Sequence, residues 1–259
     1  MANRSSTDRA LWIRDFHPSP PGTPRLLCLP HAGGSAGFYF PFSAALSPGV
    51  DVLAVQYPGR QDRWLDAFAE SVDALADELF AVLGPDDGTP LALFGHSMGA
   101  VVGYELARRL QAAGRPPAVF FASGRRAPSL TRTETVHLRD DAGLIEEIKK
   151  LNGTDSTLLD DAEVREMILP SLRADYRVVE TYRRAPGPRL SCPVVAMTGD
   201  SDPRVTVEEA RTWAEETSGG FELLVHPGGH FYLATQQRAV LAQLTERLRG
   251  LAPHPGARA

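Results

Sequence analysis

The chain has 259 residues, of which 43% are hydrophobic and 23% are charged. This composition is typical of a globular protein with a sizeable buried core. The formal net charge of -5 argues against an overall attraction to nucleic acid or to an anionic membrane surface, and no apolar run is long enough to cross a bilayer.

The first residues are polar and contain no apolar segment of the kind found in secretory signals, so we expect a cytoplasmic protein. Both cysteines, Cys28 and Cys192, lie in apolar runs and are expected to be buried, reduced thiols. Neither cysteine has metal-ligand spacing, and we expect no metal and no cofactor.

Short apolar runs, almost continuous rather than alternating, are typical of strands that are buried on both faces of a parallel sheet. They are Arg25–Leu29, Asp51–Gln56, Leu91–Phe94, Ala118–Ala122, Val194–Met197 and Phe221–Val225. An earlier run, Leu11–Phe16, is a candidate edge strand.

The segments between these runs have helical patterns. After Ser97, apolar residues recur at four-residue steps, and further helices are predicted near Ser71–Val82, Val207–Glu216 and Gln236–Leu248. Alternating strands and helices predict an α/β fold, with a mostly parallel central sheet flanked by helices. We expect one domain over residues 1–259.

One segment, from about 125 to 189, contains no convincing strand. Two apolar helical faces are predicted in it, and Pro170 is well placed to open the second helix; the faces are Leu144, Ile148, Leu151 and Leu172, Tyr176, Val179. Because this insertion follows one core strand and precedes another, we expect a helical lid over a site at the sheet edge. The alternative is a surface insertion that has no role at the site.

The motif Gly95-His96-Ser97-Met98-Gly99 matches the pattern G-x-S-x-G. An apolar strand runs directly into it and a helix runs directly out of it, which is the setting of a nucleophilic serine on a tight turn in the α/β-hydrolase fold. Side chains at the two glycines are expected to collide with neighbouring backbone. Ser97 is therefore the predicted nucleophile, and a glycine-rich turn with a capping serine is the alternative.

A serine hydroxyl needs a base within hydrogen-bond reach, and in this fold the base is a histidine that follows the last strands. His226 ends the last predicted strand, whereas His230 follows the flexible turn Pro227-Gly228-Gly229. We therefore predict His230 as the base and interpret His226 as a structural histidine.

The acid that orients the base is expected after the strand Val194–Met197, where both Asp200 and Asp202 lie. Chain order and loop position alone do not separate the two. Asp202 is favoured because it lies three residues past Gly199, the usual G-x-x-D placement in this fold.

Acyl transfer also needs donors for the negative oxygen of the tetrahedral intermediate. One is the backbone N–H of Met98, directly after the predicted nucleophile. The other is expected from the loop Leu29-Pro30-His31-Ala32-Gly33-Gly34, whose glycines let the backbone approach a substrate closely. The same segment is not a P-loop, because no Gly-Lys-Ser/Thr follows.

Several motifs in this order resemble those of type II thioesterases, the stand-alone editing enzymes of polyketide and nonribosomal peptide synthesis. They are Leu29–Ser35, Gln56-Tyr57-Pro58-Gly59-Arg60, Gly95–Gly99, Thr198–Pro203 and Gly228-Gly229-His230-Phe231, joined within the insertion by Leu151-Asn152-Gly153-Thr154 and Leu169–Asp175. The resemblance covers about Leu11 to Leu248, and no catalytic position departs from the pattern.

The resemblance implies hydrolysis of acyl thioesters on the phosphopantetheine arm of acyl or peptidyl carrier proteins, which clears misprimed or stalled units. It implies Ser97, Asp202 and His230 as the triad and the backbone of Ala32 and Met98 as the oxyanion hole. It also implies that the lid lines an acyl chamber and limits chain size.

Carrier proteins are usually acidic on their docking face, so basic residues near the site are candidate contacts. They are Arg125, Arg126, Lys149, Lys150, Arg183 and Arg184, although solvated helix charges are an equally good interpretation. Met98 and Phe231 are candidate apolar walls of the site, or else core residues.

Three other functions remain open at this point, the least favoured of them an acyltransferase or cyclising thioesterase. A carboxylesterase or lipase of small esters would carry the same serine turn and triad, and a non-catalytic binding protein on the same fold is the second alternative. No sequence feature suggests an obligate assembly, so a monomer without membrane or nucleic-acid partners is expected.

Overall fold

The computed structural model describes residues 6–151 and 161–251, and the strands of these residues pair into one seven-stranded sheet. In chain order the strands are β1 Ile13–Asp15, β2 Arg25–Leu29, β3 Asp51–Val55, β4 Leu91–His96, β5 Val119–Ser123, β6 Val194–Gly199 and β7 Phe221–His226. Their spatial order is β1-β3-β2-β4-β5-β6-β7, and all neighbours are parallel except β1 with β3. The predicted sheet is confirmed, and so is an edge strand within Leu11–Phe16.

Helices cover both faces of the sheet. They are α1 Ser6–Trp12, α2 Phe40–Leu46, α3 Val72–Leu83, α4 Met98–Ala112, α5 Asp141–Leu151, α6 Ala162–Thr181, α7 Val207–Arg211, α8 Tyr232–Thr235 and α9 Gln237–Arg249. Leu27 and Leu29 of β2 belong to the core that includes α3 and α4, whereas Leu26 and Cys28 belong to the core that includes α2 and α9. Because successive strand residues point to opposite faces, β2 must be apolar throughout.

The predicted site motifs all follow the carboxyl ends of parallel strands. The loop Pro30–Gly34 follows β2, Ser97 follows β4, Asp200–Asp202 follows β6 and Pro227–His230 follows β7. Parallel strands place these ends along one edge of the sheet, which is where open α/β sheets bind their ligands.

Between β5 and β6 the chain leaves the sheet and forms α5 and α6, which we call the insertion. Leu144 and Ile148 of α5 form a buried cluster with Leu172 and Tyr176 of α6. The two predicted apolar faces therefore pack against each other, which gives the insertion a small core of its own.

The prediction that Pro170 opens a helix is wrong. The side chain of Asp161 caps α6 by accepting the N–H groups of Glu163 and Val164, and the helix continues through Pro170 to Thr181. A proline inside a helix costs about 3 kcal/mol, and each large apolar side chain that is buried contributes about 1.5–3 kcal/mol. Burial of Leu169 and Leu172 on either side of Pro170 offsets that cost.

Smaller differences concern the ends of the sheet. β7 lies at the edge of the sheet and is therefore only partly buried, with Glu222 and Val225 exposed. The segment Val207–Glu216 divides into α7 and a 3-10 helix. Asn152–Thr154, part of a motif singled out in the sequence, lie outside the described residues.

No helix in the described part of the chain is long and apolar enough to cross a membrane.

Candidate active site

Ser97 occupies a sharp turn between β4 and α4. Its backbone has φ 54° and ψ -113°, a combination that a serine adopts only where surrounding structure imposes it. The N–H of Ser97 donates to the carbonyl of Ser123 at 2.8 Å, and α4 begins at the next residue. The neighbouring strand and the following helix together fix this turn.

Gly95 and Gly99 are required by close backbone contacts on either side of Ser97. A Cβ at Gly95 would lie 2.2 Å from the carbonyl oxygen of Gly99, and a Cβ at Gly99 would lie 2.0 Å from that of Leu29. Both distances are far inside van der Waals contact, and the obstructing atoms are backbone. The expected collisions are confirmed, and they explain the two glycines of the motif.

His230 lies in the turn between β7 and α8, and it is buried. Its Nδ1 atom is 2.8 Å from Oδ2 of Asp202, and its side chain lines the same narrow cavity as Ser97. A neutral imidazole that donates from Nδ1 to a carboxylate keeps a lone pair on Nε2 for a second partner. His226 instead stacks on the ring of Tyr232, with centroids 4.9 Å apart.

The two candidate acids have different surroundings, although only one residue separates them. Asp202 is buried, and its Oδ1 accepts the backbone N–H of Arg204 at 2.8 Å while Oδ2 faces His230. Asp200 is exposed and accepts the backbone N–H of Gly228 at 3.0 Å. Only Asp202 contacts the predicted base, and Asp200 braces the turn that carries it.

Of the two predicted oxyanion donors, Met98 directly follows Ser97 and Ala32 lines the cavity that Ser97 also lines. Met98 is the first residue of α4, so its N–H has no acceptor within the helix and belongs to the positive end of the helix dipole. Ala32 lines the cavity beside Ser97 and His230. Phe231 also lines this cavity, whereas the side chain of Met98 is fully buried in the core.

The insertion forms one wall of the cavity. Leu151 from the end of α5 and Tyr176 and Val179 from α6 line it together with Ser97. Each of these three belongs to an apolar face predicted from the sequence. His31, Arg125 and Arg204 also line the cavity. Arg125 was expected only as a carrier contact, and Arg204 was given no role from the sequence.

Arg125 and Arg126, named above as candidate carrier contacts, are buried instead. Their side chains are 10% and 5% exposed, and both bond to Glu134, at 3.3 and 2.7 Å. Burial alone raises the pKa of the Glu134 carboxyl, but the bond from Arg126 and the charges of Arg125 and Arg204 outweigh it and lower that pKa to about 2. The expectation of surface contacts is wrong for these two arginines, because a buried carboxylate holds them.

Two further histidines, His31 and His96, lie beside His230, and their place in the sequence predicts no role for either. The ring of His96 is 5.0 Å from that of His230 and 5.9 Å from that of His31, between centroids. Burial lowers the pKa of His31 to about 3 and that of His96 well below its usual value, and the charge of His230 adds to both shifts. Both rings are therefore neutral near pH 7.

A buried chain of hydrogen bonds orients His96. Its Nδ1 lies 2.9 Å from Oγ of Ser123, which in turn lies 2.6 Å from the hydroxyl of Tyr232. These residues come from β4, β5 and α8, so the contact could not be read from one segment of sequence. The available signal was that His96 stands inside the serine motif and Tyr232 stands two residues after His230.

Within residues 6–151 and 161–251, no group of three or more His, Cys, Asp or Glu side chains is arranged to hold a metal ion. Cys28 and Cys192 are free and buried, as expected from their apolar surroundings.

The Thioesterase domain family matches residues 24–248 of the chain. The chain is 46% identical over 256 residues to Thioesterase PikA5 of Streptomyces venezuelae, covering 98% of this chain and 91% of that protein. It is 48% identical over 239 residues to a probable cadicidin biosynthesis thioesterase of Streptomyces griseus, covering 92% of this chain but 66% of that protein, which is just under two thirds.

A solved structure agrees with these matches. The type II thioesterase BorB from the borrelidin biosynthetic cluster superposes with a TM-score of 0.87 at 51% sequence identity, over 92% of this chain and 98% of that one. The fold, the serine turn and the sequence matches thus lead to one assignment. The chain belongs to the thioesterase family, and within it to the type II thioesterases.

Proposed function

We propose that this chain hydrolyses acyl thioesters on the phosphopantetheine arm of acyl or peptidyl carrier proteins, through an acyl-serine intermediate. Ser97 is the nucleophile, His230 the general base and Asp202 the residue that orients His230. The observation that carries the proposal is the 2.8 Å contact of His230 with Asp202 at the cavity that Ser97 also lines. The reaction class follows from a serine, an imidazole and a carboxylate in this order.

The steps can be written with these groups alone. Oγ of Ser97 attacks the thioester carbonyl carbon while Nε2 of His230 takes the hydroxyl proton. The backbone N–H groups of Ala32 and Met98 stabilise the negative oxygen of the tetrahedral intermediate. The carbon–sulfur bond then breaks, and His230 returns its proton to the departing thiol.

Water completes the cycle. His230 removes a proton from a water molecule, which attacks the acyl-serine carbonyl and forms a second tetrahedral intermediate. Collapse releases the free carboxylic acid, and the proton returns to Oγ of Ser97. A thiol has a pKa near 8.5, so it leaves more readily than an alkoxide or an amine, and this machinery suffices for a thioester.

An editing role is supported by the relatives. PikA5 and BorB are named as thioesterases, BorB from a biosynthetic cluster, and both match almost their whole length. We propose that this chain likewise removes misprimed or stalled acyl groups from a polyketide or nonribosomal peptide synthase. As two buried free thiols, Cys28 and Cys192 fit a reducing compartment, and we place the reaction in the cytoplasm.

The insertion is proposed to act as a lid on the acyl site. Leu151, Tyr176 and Val179 supply apolar surface to the cavity that Ser97 also lines, which favours an acyl chain over a polar group. The cavity is narrow, so longer acyl chains require movement of α5 or α6. Short acyl groups are therefore the expected substrates of the closed form.

A carrier would approach the same edge of the sheet. Of the six basic residues named above, Lys149, Lys150 and Arg183 are exposed, and Lys150 pairs with Glu146 on the same helix. Arg184 is partly buried against Tyr104 and Glu216, at 2.8 and 3.1 Å. We propose the exposed three as contacts for the acidic face of a carrier.

The test compares carrier-bound acyl thioesters with simple oxygen esters of the same acyl groups, with chain length and branching varied. Loss of the acyl group is read from the intact mass of the carrier, and Ser97→Ala is the control for background hydrolysis. Preference for carrier thioesters supports the proposal. Faster hydrolysis of simple esters would identify a carboxylesterase, and no turnover together with no fluorophosphonate labelling of Ser97 would identify a binding protein.

A further inference from the structure

Arg60 and Asp175, which the reaction steps do not use, meet in the interior of the protein. The two terminal nitrogens of Arg60 donate to the two carboxylate oxygens of Asp175, at 2.6 and 2.8 Å. The side chains are only 7% and 6% exposed. A guanidinium bonded in this two-pronged way holds a carboxylate in one orientation, because both groups are planar and their spacings match.

The same two side chains hold the backbone of the glycine loop, which we define as His31–Gly34. The N–H of Gly33 donates to Oδ2 of Asp175 at 2.8 Å, and Nη1 of Arg60 donates to the carbonyl of Gly34 at 3.1 Å. The loop is closed by a bond from the N–H of Gly34 to the carbonyl of His31, at 2.9 Å. The peptide groups between Ala32 and Gly33 and between Gly34 and Ser35 therefore have their directions set by one buried ion pair.

Asp175 reaches the glycine loop only because α6 lies against it. A Cβ added at Gly33 would be 2.8 Å from Cδ1 of Leu172, one turn before Asp175 on the same helix. Ala32 packs against the buried cluster that contains Leu172 and Tyr176. Movement of α6 away from the sheet edge would thus remove both the apolar contact and the acceptor of the Gly33 N–H.

We propose that Arg60 and Asp175 are positioning residues that couple docking of α6 to the geometry of the oxyanion loop. This inference rests on the proposed function, because it takes the N–H of Ala32 as an oxyanion donor. With α6 docked, the ion pair holds the loop so that this N–H points at the developing charge. With α6 displaced, the N–H of Gly33 loses its acceptor on Asp175, and hydrolysis is slow until the insertion returns to the sheet edge.

The expected loss of activity depends on how accurately the oxyanion donors must be placed in the transition state. Misplacement of a catalytic group by about 1 Å can slow a reaction by about 10²-fold. The negative oxygen develops only on the way to the tetrahedral intermediate, so loosening the loop weakens binding of the transition state more than binding of the thioester. We therefore expect a loss in kcat with little change in KM.

The test uses Asp175→Asn in the full chain, with Glu180→Gln as the matched control. Glu180 is also a buried carboxylate on α6, and it accepts the backbone N–H groups of Val136 and His137 at 3.1 and 3.0 Å. With an acyl-pantetheine thioester, Asp175→Asn is expected to lower kcat about 10- to 100-fold with KM within about threefold, and Glu180→Gln to keep kcat within about threefold. Exchange of the backbone amide hydrogens of residues 31–36 is expected to become faster only in Asp175→Asn.

A folded Asp175→Asn variant with kcat near that of the wild type overturns the inference, and so does an equal loss in Glu180→Gln. If Asp175→Asn does not fold, Arg60→Lys keeps a positive charge beside Asp175 while losing the two-pronged geometry. It is expected to lower kcat about 3- to 10-fold, and an unchanged kcat also overturns the inference. A wild-type protein that hydrolyses no thioester would contradict the proposed function instead, and hydrogen exchange would still test the coupling.

Discussion

Nδ1 of His230 lies 2.8 Å from Oδ2 of Asp202, although the two residues are 28 positions apart in the chain. The other oxygen of Asp202 accepts the backbone N–H of Arg204, so both carboxylate oxygens are engaged. A carboxylate held in this way fixes the imidazole ring and directs its Nε2 away from the acid. The proposed roles of Ser97, Asp202 and His230 depend on this relationship and lead to two predictions.

Ser97→Ala and His230→Ala are each expected to reduce thioester hydrolysis at least about 10³-fold, because either change removes the activated nucleophile. Hydrolysis of a carrier-bound acyl thioester is the measurement, and circular dichroism checks that the variants stay folded. The double variant is expected to be no slower than either single one, since the residues act as a unit. A folded single variant with near wild-type turnover would remove that residue from the proposed triad.

Asp202→Asn is expected to lower kcat at least about 10²-fold, because an amide cannot stabilise the imidazolium and favours the wrong tautomer of His230. Asp200→Asn is the matched control, since it keeps an acceptor for the N–H of Gly228 and lies in solvent. Its kcat is expected to stay within about fivefold of the wild type. If the order of the two losses were reversed, the orienting acid would be Asp200.

Gly99→Ala is expected to lower the free energy of unfolding by at least about 2 kcal/mol and to slow hydrolysis. Its new Cβ would lie 2.0 Å from the carbonyl oxygen of Leu29, so the serine turn or β2 has to move. Gly250→Ala is the control, because its Cβ would be 3.7 Å from the carbonyl oxygen of Arg247, an ordinary van der Waals contact, and its φ is -67°. The free energies of unfolding of both variants are measured with denaturant. If Gly99→Ala were as stable as Gly250→Ala, the serine turn would accommodate the added methyl group and the prediction would be wrong.

The free energy of unfolding is expected to decrease as the pH is lowered from about 6.5. Burial lowers the pKa of His31 to about 3 and holds that of His96 well below its usual value, so both are neutral in the folded chain. In the unfolded chain these histidines have the ordinary pKa of 6.5, so below pH 6.5 the unfolded chain binds more protons than the folded chain. The free energy of unfolding therefore keeps its full value above pH 6.5 and decreases as the pH falls below it. His31 alone accounts for about 1–2 kcal/mol at pH 5.

The measurement is denaturant unfolding at pH 7.5 and at pH 5. His31→Gln is expected to lose about 1–2 kcal/mol less stability between these two values than the wild type does, because it no longer binds a proton on unfolding. An unchanged difference between the two pH values would show that His31 is not the group responsible. Turnover is followed separately, since His31 belongs to the glycine loop.

The sheet and the serine turn could be predicted because they depend on neighbours in sequence. Strands buried on both faces must be apolar at every position, as Leu26–Leu29 are, and such runs are visible without coordinates. Pro170 shows the limit of local rules, since its helix is stabilised by apolar contacts with α5 that outweigh the cost of a proline.

Sequence by itself determined which residues could supply the chemistry: a serine between two glycines, late histidines, and two aspartates after a strand. Only the tertiary structure decided which aspartate is buried against His230, and that Arg60 meets Asp175 across 115 positions to hold the glycine loop. The reason is physical, because motif spacing reflects local backbone geometry whereas a buried ion pair depends on how separate elements pack. Such a pair leaves no periodic pattern in the chain.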